Sequence, residues 1–441
     1  MSGHLLLTSW AFPPARTSGV YRAVGIANAF AAAGWSVTVL CGPARLFRDN
    51  LVVDESLVGS VDPAVQTVEV PLEHHELSTD IAQWSRLRAR QPEIWAKTRL
   101  RKDASQFPEP WFGSWAPALR RAAERVHRAD AVTLALGTAA PYVDFVPGTH
   151  LRERFGVPYV LDYRDAWTFL TFTGEDPPTA TLAMRERESA LMADALQVWF
   201  VNDPIRTWHA RRYPDAASRM RTVRNGFDAP GSDADARIGV PWSPPANRGL
   251  TFGYVGTINF GAFPLEAVVE GWKLARADLP PGSRLVLRGH LGRTGEGSPT
   301  LLDALASAVP AGVTFEGPVA RADVWDVYRG FDALVLALPS GPGVTSGKVY
   351  EYAATGLPIV SVHTPETPVW EVLGDSSHWH PTESLDPQSV AAAFLAAAAD
   401  VLSGSAADRA DAIAAGARWE RAGQLQAAVR ELDDVLAEAA S

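Results

Sequence analysis

Short apolar runs alternate with longer amphipathic stretches along the first half of the chain. Residues 4–9 are apolar, residues 20–33 have helical spacing and end at Gly34, and residues 36–41 are apolar again. We predict further strands and helices in the same alternation, with strands at 132–136, 159–162 and 197–201 and helices at 116–128, 148–155 and 179–193. This pattern predicts a parallel sheet with helices on both faces.

The alternation restarts after residues 229–249, which are dense in Gly, Pro, Asp and Ser and are typical of a linker. The second series predicts strands at 251–255, 284–288, 313–315, 333–338 and 358–362, and helices at 264–277, 300–308, 321–330 and 347–355. The predicted domains are therefore residues 1–230 and 245–415. An alanine-rich helical stretch, 407–440, follows, and we expect its end, about 420–441, to pack back on the first domain.

Both predicted domains have the pattern of a doubly wound, Rossmann-like α/β fold. Ligands of such open sheets bind outside the carboxyl ends of the strands. We expect the two domains to face each other across a central cleft, with those strand ends on the cleft. Residues that follow predicted strands are therefore the first candidates for binding and catalysis.

The composition excludes some classes of function. The chain has 441 residues, 47% of them hydrophobic, and a formal net charge of -10. The negative charge disfavours a nucleic-acid-binding protein, because phosphate backbones attract positive proteins. The lone Cys41 forms no disulfide within the chain, and the first residues lack a secretory signal pattern. We therefore expect a bacterial, cytoplasmic protein.

A glycine-rich turn and the helix after it, residues 340–360, are the strongest local signal. Successive N–H groups and the start of a helix favour an anion. Lys348, one of only four lysines, stands in the first turn, where a cation opposes the helix dipole but suits a diphosphate. Glu351, about one turn later, is placed to accept hydrogen bonds from a ribose diol. The alternative is a plain turn in which Lys348 is solvated and pairs with Glu351.

Residues 346–360 read SGKVYEYAATGLPIV. This run resembles the S-K-x-x-E-Y-x-A-x-G-x-P-I pattern in the nucleotide-binding segment of retaining glycosyltransferases of family 4, which have the GT-B fold. Other segments resemble the family pattern in family order: LLLTSWAFPPARTSGVYR near the start, GVPYVLDYRDAW at 156–167, RTVRNGFD at 221–228 and LTFGYVGTI at 250–258. The resemblance extends from residue 4 to about residue 375.

The resemblance implies a donor site on the second domain. Glu351 matches the second glutamate of the family's E-x7-E pair, which binds the nucleotide ribose, whereas the first falls at Gly343. The family also places an arginine and a lysine after the first strand of this domain, and residues 257–261 contain neither. Lys348 and Arg288 are our candidates to replace the missing charge. The donor-binding candidates are Gly19, Gly256, Arg288, Ser346, Gly347, Lys348, Val349 and Glu351.

A second group of candidates belongs to the first domain. Asp162, Arg164 and Asp165 follow a predicted strand and are our catalytic candidates. The alternative for these residues is a buried Arg–Asp pair that ties the strand end to its neighbours. The acceptor-side candidates include a tryptophan that would stack on a sugar ring, two arginines that flank Gly19, and a threonine where many family members carry a histidine: Trp167, Arg16, Arg22 and Thr138.

Residues 74–115 are unusually basic and aromatic for an acidic protein. They contain four tryptophans and seven cations: Trp84, Trp95, Trp111, Trp115, Arg86, Arg88, Arg90, Lys97, Arg99, Arg101 and Lys102. Such a face suits an anionic acceptor or a lipid surface. The alternative is a pair of helices packed over the first domain with the arginines in water.

We predict a retaining glycosyltransferase that moves a sugar from a nucleoside-diphosphate-sugar co-substrate to a hydroxyl acceptor, which is a polysaccharide, a lipid carrier or a natural product. The histidines do not recur at metal-ligand spacing, so we predict no metal and no cofactor. The expected location is the cytoplasm, with peripheral contact to the inner face of the membrane through residues 74–115. Two alternatives remain open: a catalytically silent glycosyltransferase-like subunit, and a sugar-nucleotide epimerase of the same fold, which needs acid–base residues over the sugar.

Overall fold

The structure, a computed structural model, contains two parallel β-sheets in two units. It describes the chain except for residues 1–2, 51–52, 73, 75–80, 230–238, 241–247, 259–262, 293–298 and 441. The first unit comprises Met1–Leu170, Glu175–Arg224 and Gln424–Ser441, and the second comprises Thr171–Gly174 and Asn225–Gly423. Most of the predicted linker, 229–249, lies outside the described residues.

The described residues of the first unit form seven parallel strands: β1 (His4–Thr8), β2 (Ser36–Cys41), β3 (Val65–Glu69), β4 (Leu134–Ala139), β5 (Tyr159–Tyr163), β6 (Gln197–Phe200) and β7 (Met220–Thr222). Their spatial order is β3-β2-β1-β4-β5-β6-β7, so the chain winds outward in both directions from β1. Leu5 lies opposite Val37 on one neighbouring strand and Leu134 on the other.

Helices cover both faces of this sheet. The helices up to residue 212 are α1 (Val20–Ala32), α2 (Ala44–Asn50), α3 (Arg86–Arg90), α4 (Pro92–Gln106), α5 (Ala116–Ala129), α6 (Val146–Phe155), α7 (Leu182–Asp194) and α8 (Asp203–Arg212), of which α3 and α4 bury almost no side chain. Side chains of β1 alternate between the faces: Leu6 joins one buried cluster, whereas Leu5 and Leu7 join the other. All three are fully buried, as expected for a strand in a sheet covered on both sides.

The described residues of the second unit form six parallel strands: β8 (Thr251–Val255), β9 (Arg284–Arg288), β10 (Val313–Phe315), β11 (Ala333–Ala337), β12 (Ile359–Val362) and β13 (Trp379–Pro381). Their order is β10-β9-β8-β11-β12-β13. Its helices are α9 (Leu265–Ala275), α10 (Pro299–Ala308), α11 (Val324–Arg329), α12 (Gly347–Thr355), α13 (Trp370–Leu373), α14 (Pro387–Ser403) and α15 (Ala406–Ala417). The last helix, α16 (Arg421–Ala440), begins in this unit and continues into the first. The predicted α/β class with a doubly wound sheet in each half is confirmed.

The pattern of apolar residues predicted the edge strand β10 but missed the other three strands at the sheet edges. In β3, at one edge, three of five side chains are exposed, so the strand lacks an apolar run. The other two missed strands, β7 and β13, have three residues each and lie at an edge of the first and of the second sheet, respectively. Edge strands carry less of the core, and their sequences are correspondingly less apolar.

The C-terminal stretch predicted as one helical segment is two helices, α15 and α16. The break lies at residues 418–420, where the backbone N–H of Trp419 donates to the carbonyl oxygen of Gly416 (3.0 Å). From Gln424 onward α16 belongs to the first unit. Its Leu425, Val429 and Leu432 are buried in the same cluster as Leu5 and Leu7. The end of the chain therefore contributes core residues to the first unit.

Within the described residues, no single helix is long and apolar enough to cross a bilayer. One pair, Pro387–Ser403 with Ala406–Ala417, passes the same test of length and composition together, with a bend of 118°.

We expect Leu432→Ala to destabilise the first unit by about 2–5 kcal/mol, because it removes a buried side chain and leaves a cavity. Leu432 has no exposed surface, whereas Leu182, in the same unit, is 71% exposed. Leu182→Ala is the matched control and should change the free energy of unfolding by less than about 0.5 kcal/mol. Urea unfolding of both variants measures the difference; equal effects would show that α16 does not stabilise this unit.

Candidate functional site

Lys348 and Gly256 are in close contact in the second unit. Gly256 follows β8 and has a φ of +157°, in the range that favours glycine. A Cβ atom at this position would lie 2.1 Å from Nζ and 2.2 Å from Cε of Lys348. A larger residue at position 256 would therefore collide with the lysine side chain.

The same constraint recurs at the end of the neighbouring strand, β9. Gly289 has a φ of +138°, and a Cβ atom there would lie 1.9 Å from the carbonyl oxygen of Gly256. The backbone N–H of Gly256 donates to the carbonyl oxygen of Arg288 (2.7 Å), and that of Ile258 donates to His290 (2.9 Å). The two backbones are thus in direct contact at the carboxyl ends of their strands, where open α/β sheets bind ligands.

The ammonium group of Lys348 lies in a half-buried site. Its Nζ is 5.5 Å from the centroid of the Tyr254 ring, a cation–π distance. Burial lowers the pKa of Lys348, while the Glu351 carboxylate raises it and the Arg321 guanidinium lowers it. An anionic ligand would favour the charged form of this amine, so the site is better suited to an anion than to a neutral group.

Glu351 lies one turn further along α12 and is 9% exposed. One of its carboxylate oxygens accepts a hydrogen bond from the hydroxyl of Tyr328 (2.8 Å), and the other accepts one from Arg321. Burial and the charge of Glu351 raise the pKa of Tyr328 well above its usual value, so this phenol remains a donor. The carboxylate is thus held in one orientation, with lone pairs left for further donors.

Arg321 connects Glu351 to a second acidic residue. Its guanidinium lies 3.6 Å from the carboxylate of Asp228, which also accepts a hydrogen bond from Arg421 (2.7 Å). Neither Arg321 nor Tyr328 was among the residues predicted from sequence. The helix that carries Tyr328 gave no signal for it, because the contact with Glu351 spans 23 positions.

The other predicted donor residues differ in accessibility. Ser346 caps α12 by accepting a hydrogen bond from the backbone N–H of Lys348 (3.3 Å). Gly347 is exposed, and a Cβ atom there would contact nothing within 4 Å. Val349 is buried and packs in the core. Arg288 lies 3.7 Å from the carboxylate of Glu316, to which it is directed.

The glycine-rich turn before α12 differs from the predicted anion cradle. The N–H of Gly341 donates to the Thr367 hydroxyl (3.1 Å), and the N–H of Gly343 donates to the carbonyl oxygen of Thr171 (2.8 Å). The N–H of Val344 donates to Gly341 (3.2 Å). These three groups are therefore occupied by the protein itself: by Thr367, by Thr171 and by a carbonyl oxygen of the turn. The expectation that the turn leaves them free for a ligand is wrong.

In the first unit, Asp162 is fully buried and forms a bidentate pair with the guanidinium of Arg22 (2.6 and 2.8 Å). The hydroxyl of Thr138 donates to the same carboxylate (2.7 Å). Arg22 is 1% exposed and Thr138 is 5% exposed. These three residues join α1, β4 and β5 inside the unit, so the geometry favours the structural alternative for them over direct contact with an acceptor.

Arg164 and Asp165 have a different environment. The guanidinium of Arg164 donates to the Ser18 hydroxyl (2.9 Å) and pairs with the half-exposed carboxylate of Asp165 (2.7 Å). A Cβ atom at Gly19 would lie 2.9 Å from the same guanidinium, so the missing side chain gives Arg164 its position over the start of α1. Arg16 is exposed on the preceding turn. Of the first-unit candidates, these residues remain accessible.

Comparisons with known proteins bear on the fold and on the second unit. Residues 250–400 match a family model described as Glycosyl transferases group 1, and this region contains Gly256, Lys348 and Glu351. No curated protein matches the chain.

Solved structures match the whole chain. A glycosyltransferase from Rickettsia africae has a TM-score of 0.66 at 9% identity over 99% of both chains. The Anabaena protein HepE in complex with UDP has a TM-score of 0.63 at 14% identity and covers 98% of this chain and 100% of its own. Sucrose-phosphate synthase from Thermosynechococcus elongatus has a TM-score of 0.55 at 15% identity, over 99% of this chain and 97% of its own. The chain has the GT-B fold.

The indole ring of Trp167 is not available to stack on a sugar. Its indole is stacked between the ring of Phe107, at 5.3 Å and 9°, and the ring of Tyr142, at 4.8 Å and 8°. Trp167 is 6% exposed. The expectation that it stacks on a sugar is therefore wrong, because both of its faces are already occupied.

Two buried carboxyl groups beside β4 of the GT-B chain were not predicted. Glu109 accepts hydrogen bonds from the backbone N–H groups of Tyr142 (2.9 Å) and Val143 (2.7 Å), and Asp144 accepts one from Trp10 (2.8 Å). Burial raises the pKa of Glu109 to about 8 and that of Asp144 well above its usual value. Burial therefore favours the protonated form of both groups, and neither sequence neighbourhood indicates such burial.

Among the described residues, no group of three or more His, Cys, Asp or Glu side chains is arranged to hold a metal ion. The prediction of a metal-independent enzyme stays a prediction.

We expect Asp162→Asn to destabilise the first unit by about 3–5 kcal/mol, because it leaves the charge of Arg22 buried without its partner. Asp165→Asn is the matched control, since Asp165 is 55% exposed, and should change stability by less than about 0.5 kcal/mol. Chemical unfolding of both variants and of the wild type measures the two changes in the free energy of unfolding. A stable Asp162→Asn variant would argue against a structural role for the pair.

The raised pKa of Glu109 makes the stability of the chain depend on pH. Because the folded chain binds the Glu109 proton more tightly than the unfolded chain does, the contribution of Glu109 to stability is largest at acid pH and falls as the pH rises towards about 8. Glu109→Gln cannot ionise. Between about pH 5 and pH 8 the wild type should therefore lose more stability than the variant, by on the order of 4 kcal/mol. Urea unfolding at several pH values gives both curves, and parallel curves would contradict the raised pKa.

Proposed function

We propose that this chain is a retaining, metal-independent glycosyltransferase of the family 4 type that transfers a sugar from a nucleoside-diphosphate donor to a hydroxyl acceptor. One observation carries the proposal: a cation and a carboxylate, Lys348 and Glu351, stand one turn apart at the start of α12. They lie within the region that matches the glycosyltransferase family model. A nucleoside diphosphate offers a charged group and a ribose diol for such a pair.

Glu351 is assigned to the ribose. Its two oxygens are oriented by Tyr328 and Arg321, and a carboxylate held in this way accepts hydrogen bonds from the two hydroxyls of a diol without reorganising. The preformed orientation lowers the cost of ordering a side chain upon binding.

Lys348 is assigned to the diphosphate. Its half-buried ammonium group and the N-terminus of α12, where Gly347 is exposed, provide positive potential. This potential grows in importance as the sugar bond breaks and charge develops on the leaving diphosphate. Fixed charges of this kind need no rearrangement at the moment of reaction. Lys348 thereby supplies the charge that a metal ion supplies in other transferases.

The donor base and the acceptor are assigned by analogy and by accessibility. Anabaena HepE, which shares the fold, is described in complex with UDP, and also with UDP-glucose. We therefore take uridine diphosphate as the first nucleotide to test. On the acceptor side we retain Arg164 and Asp165 of the first unit, because their side chains reach solvent.

A second candidate function is a catalytically silent glycosyltransferase-like subunit. The observation that favours it is the turn before α12, where the N–H groups of Gly341, Gly343 and Val344 are used within the protein. Fewer backbone donors then remain for a diphosphate. Gly343 also stands where the family carries its first glutamate.

We expect one of UDP, dTDP, GDP and ADP to raise the melting temperature of the wild type, and the rise to shrink in Lys348→Ala and in Glu351→Ala. A ligand at about 100 times its dissociation constant stabilises the folded state by roughly 2.7 kcal/mol. The matched controls are Lys273→Ala and Glu266→Ala, whose side chains are exposed on α9 of the same unit. Both controls should keep the full ligand-induced shift.

Two outcomes would contradict the proposal. If no nucleotide shifts the melting temperature, the silent subunit becomes the better explanation. If a nucleotide binds but its sugar conjugate yields an epimer rather than free nucleoside diphosphate, the reaction is epimerisation. Release of nucleoside diphosphate without a metal ion, measured in the presence of a chelator, tests metal independence separately.

A further inference from the structure

The helix pair α3 and α4 packs in an unusual way. Helix α4 has fifteen residues, and Asp103 is the one residue buried among those that the structure describes; in α3 none is buried. The two helices contact each other, and α4 also contacts the turn Gly113–Trp115. A helix of a globular protein ordinarily buries an apolar stripe against the core. Helices α3 and α4 bury almost no side chain, so the function of their outer surface needs an explanation.

Polar and aromatic contacts hold the pair together from within. The carboxylate of Asp103 accepts hydrogen bonds from the backbone N–H groups of Trp111 (2.9 Å) and Ser114 (3.0 Å). The guanidinium of Arg88 lies 4.0 Å from the Trp84 ring centroid and 4.6 Å from that of Trp95. Trp84 and Trp95 therefore pack against Arg88 within this part of the chain.

The outer surface combines positive charge with exposed aliphatic groups. Residues 86–102 carry seven cations and one acid, Glu93, in a chain whose net charge is -10. Five of these cations are exposed and form no ion pair with another described residue: Arg86, Arg90, Lys97, Arg101 and Lys102. Two large apolar side chains of the same helices are also exposed, Ile94 at 52% and Leu87 at 45%, as is Ile81 at 68% in the turn just before α3.

We propose that this surface, the α3–α4 face, docks the protein on a bilayer that contains anionic lipids. Anionic headgroups pair with unpaired cations, and the exposed aliphatic side chains enter the boundary between headgroups and acyl chains. A soluble anionic polymer would use the cations but would leave Ile81, Leu87 and Ile94 in water. The two features together therefore favour a membrane surface. The proposal does not depend on the catalytic assignment.

Sedimentation with vesicles tests the α3–α4 face on the full chain. Vesicles of phosphatidylcholine with about 30% phosphatidylglycerol are compared with phosphatidylcholine alone, at about 0.1 M salt. The wild type should bind the anionic vesicles at least about tenfold more strongly, and Arg86→Glu/Arg90→Glu/Lys97→Glu should lose at least about tenfold in binding. The matched control, Arg121→Glu/Arg211→Glu/Arg430→Glu, reverses three exposed arginines elsewhere in the first unit and should bind like the wild type apart from a small general loss.

The aliphatic side chains separate a membrane from other anionic partners. Leu87→Ser/Ile94→Ser keeps every cation, so it should weaken vesicle binding several-fold while leaving binding to soluble dextran sulfate unchanged. The proposal is overturned if the wild type does not bind anionic vesicles, if the control triple variant loses as much binding as the Arg86/Arg90/Lys97 variant, or if the Leu87/Ile94 variant binds vesicles like the wild type. Because all these side chains are exposed, the variants should fold, and unchanged thermal unfolding confirms that they do.

Discussion

The side chain of Lys348 occupies space that any residue other than glycine at position 256 would fill. This constraint links three parts of the second unit. Gly256 leaves a place for the lysine, and Gly289, which follows β9, permits the backbone of Gly256 to approach closely. The Ser346 cap starts α12 at the point where Lys348 reaches that place. A cation and the carboxylate of Glu351 are therefore presented from one rigid helix start rather than from a flexible loop.

Burial separates the charged residues of the chain into two kinds. Asp162 and Arg22 are closed off from solvent and satisfy each other, so their value lies in joining α1 to β5. Glu351 is also largely buried, but its Arg321 partner is 34% exposed and leads to Asp228. A carboxylate oriented by partners that reach solvent can still meet a ligand, whereas one enclosed by them cannot. The same residue type thus serves structure in the first unit and suits recognition in the second.

The sequence predicts most of what depends on local pattern. Apolar runs locate the central strands, and the SGKVYEY segment identifies Lys348 and Glu351, because spacing along one helix determines which side chains come together. Contacts between distant segments are not visible in this way. The sequence indicates Trp167 as a sugar-stacking residue, but in the structure Phe107 and Tyr142 stack on its indole. It also indicates an anion site at the amides of the turn before α12, but one of these amides donates to the carbonyl oxygen of Thr171. Each error came from assigning an exposed environment to a group whose partner lies far away in sequence.

The loss of backbone donors in that turn makes the location of Lys348 more important. Residues 257–261 contain no arginine or lysine, and three amides of the turn are used internally, so in the proposed donor site the phosphate charge would be met chiefly by one ammonium group and by the exposed Gly347 at the start of α12. Coulomb attraction grows as the local dielectric constant falls, so a single cation at a half-buried position interacts more strongly with a diphosphate than the same cation in water. The pKa of Lys348 is lowered because burial removes water from its ammonium group. The cost of this desolvation is already met in the free protein. If Lys348 binds the diphosphate as proposed, neutralisation of this charge recovers that cost, so a site with few cations can still favour a strongly anionic donor.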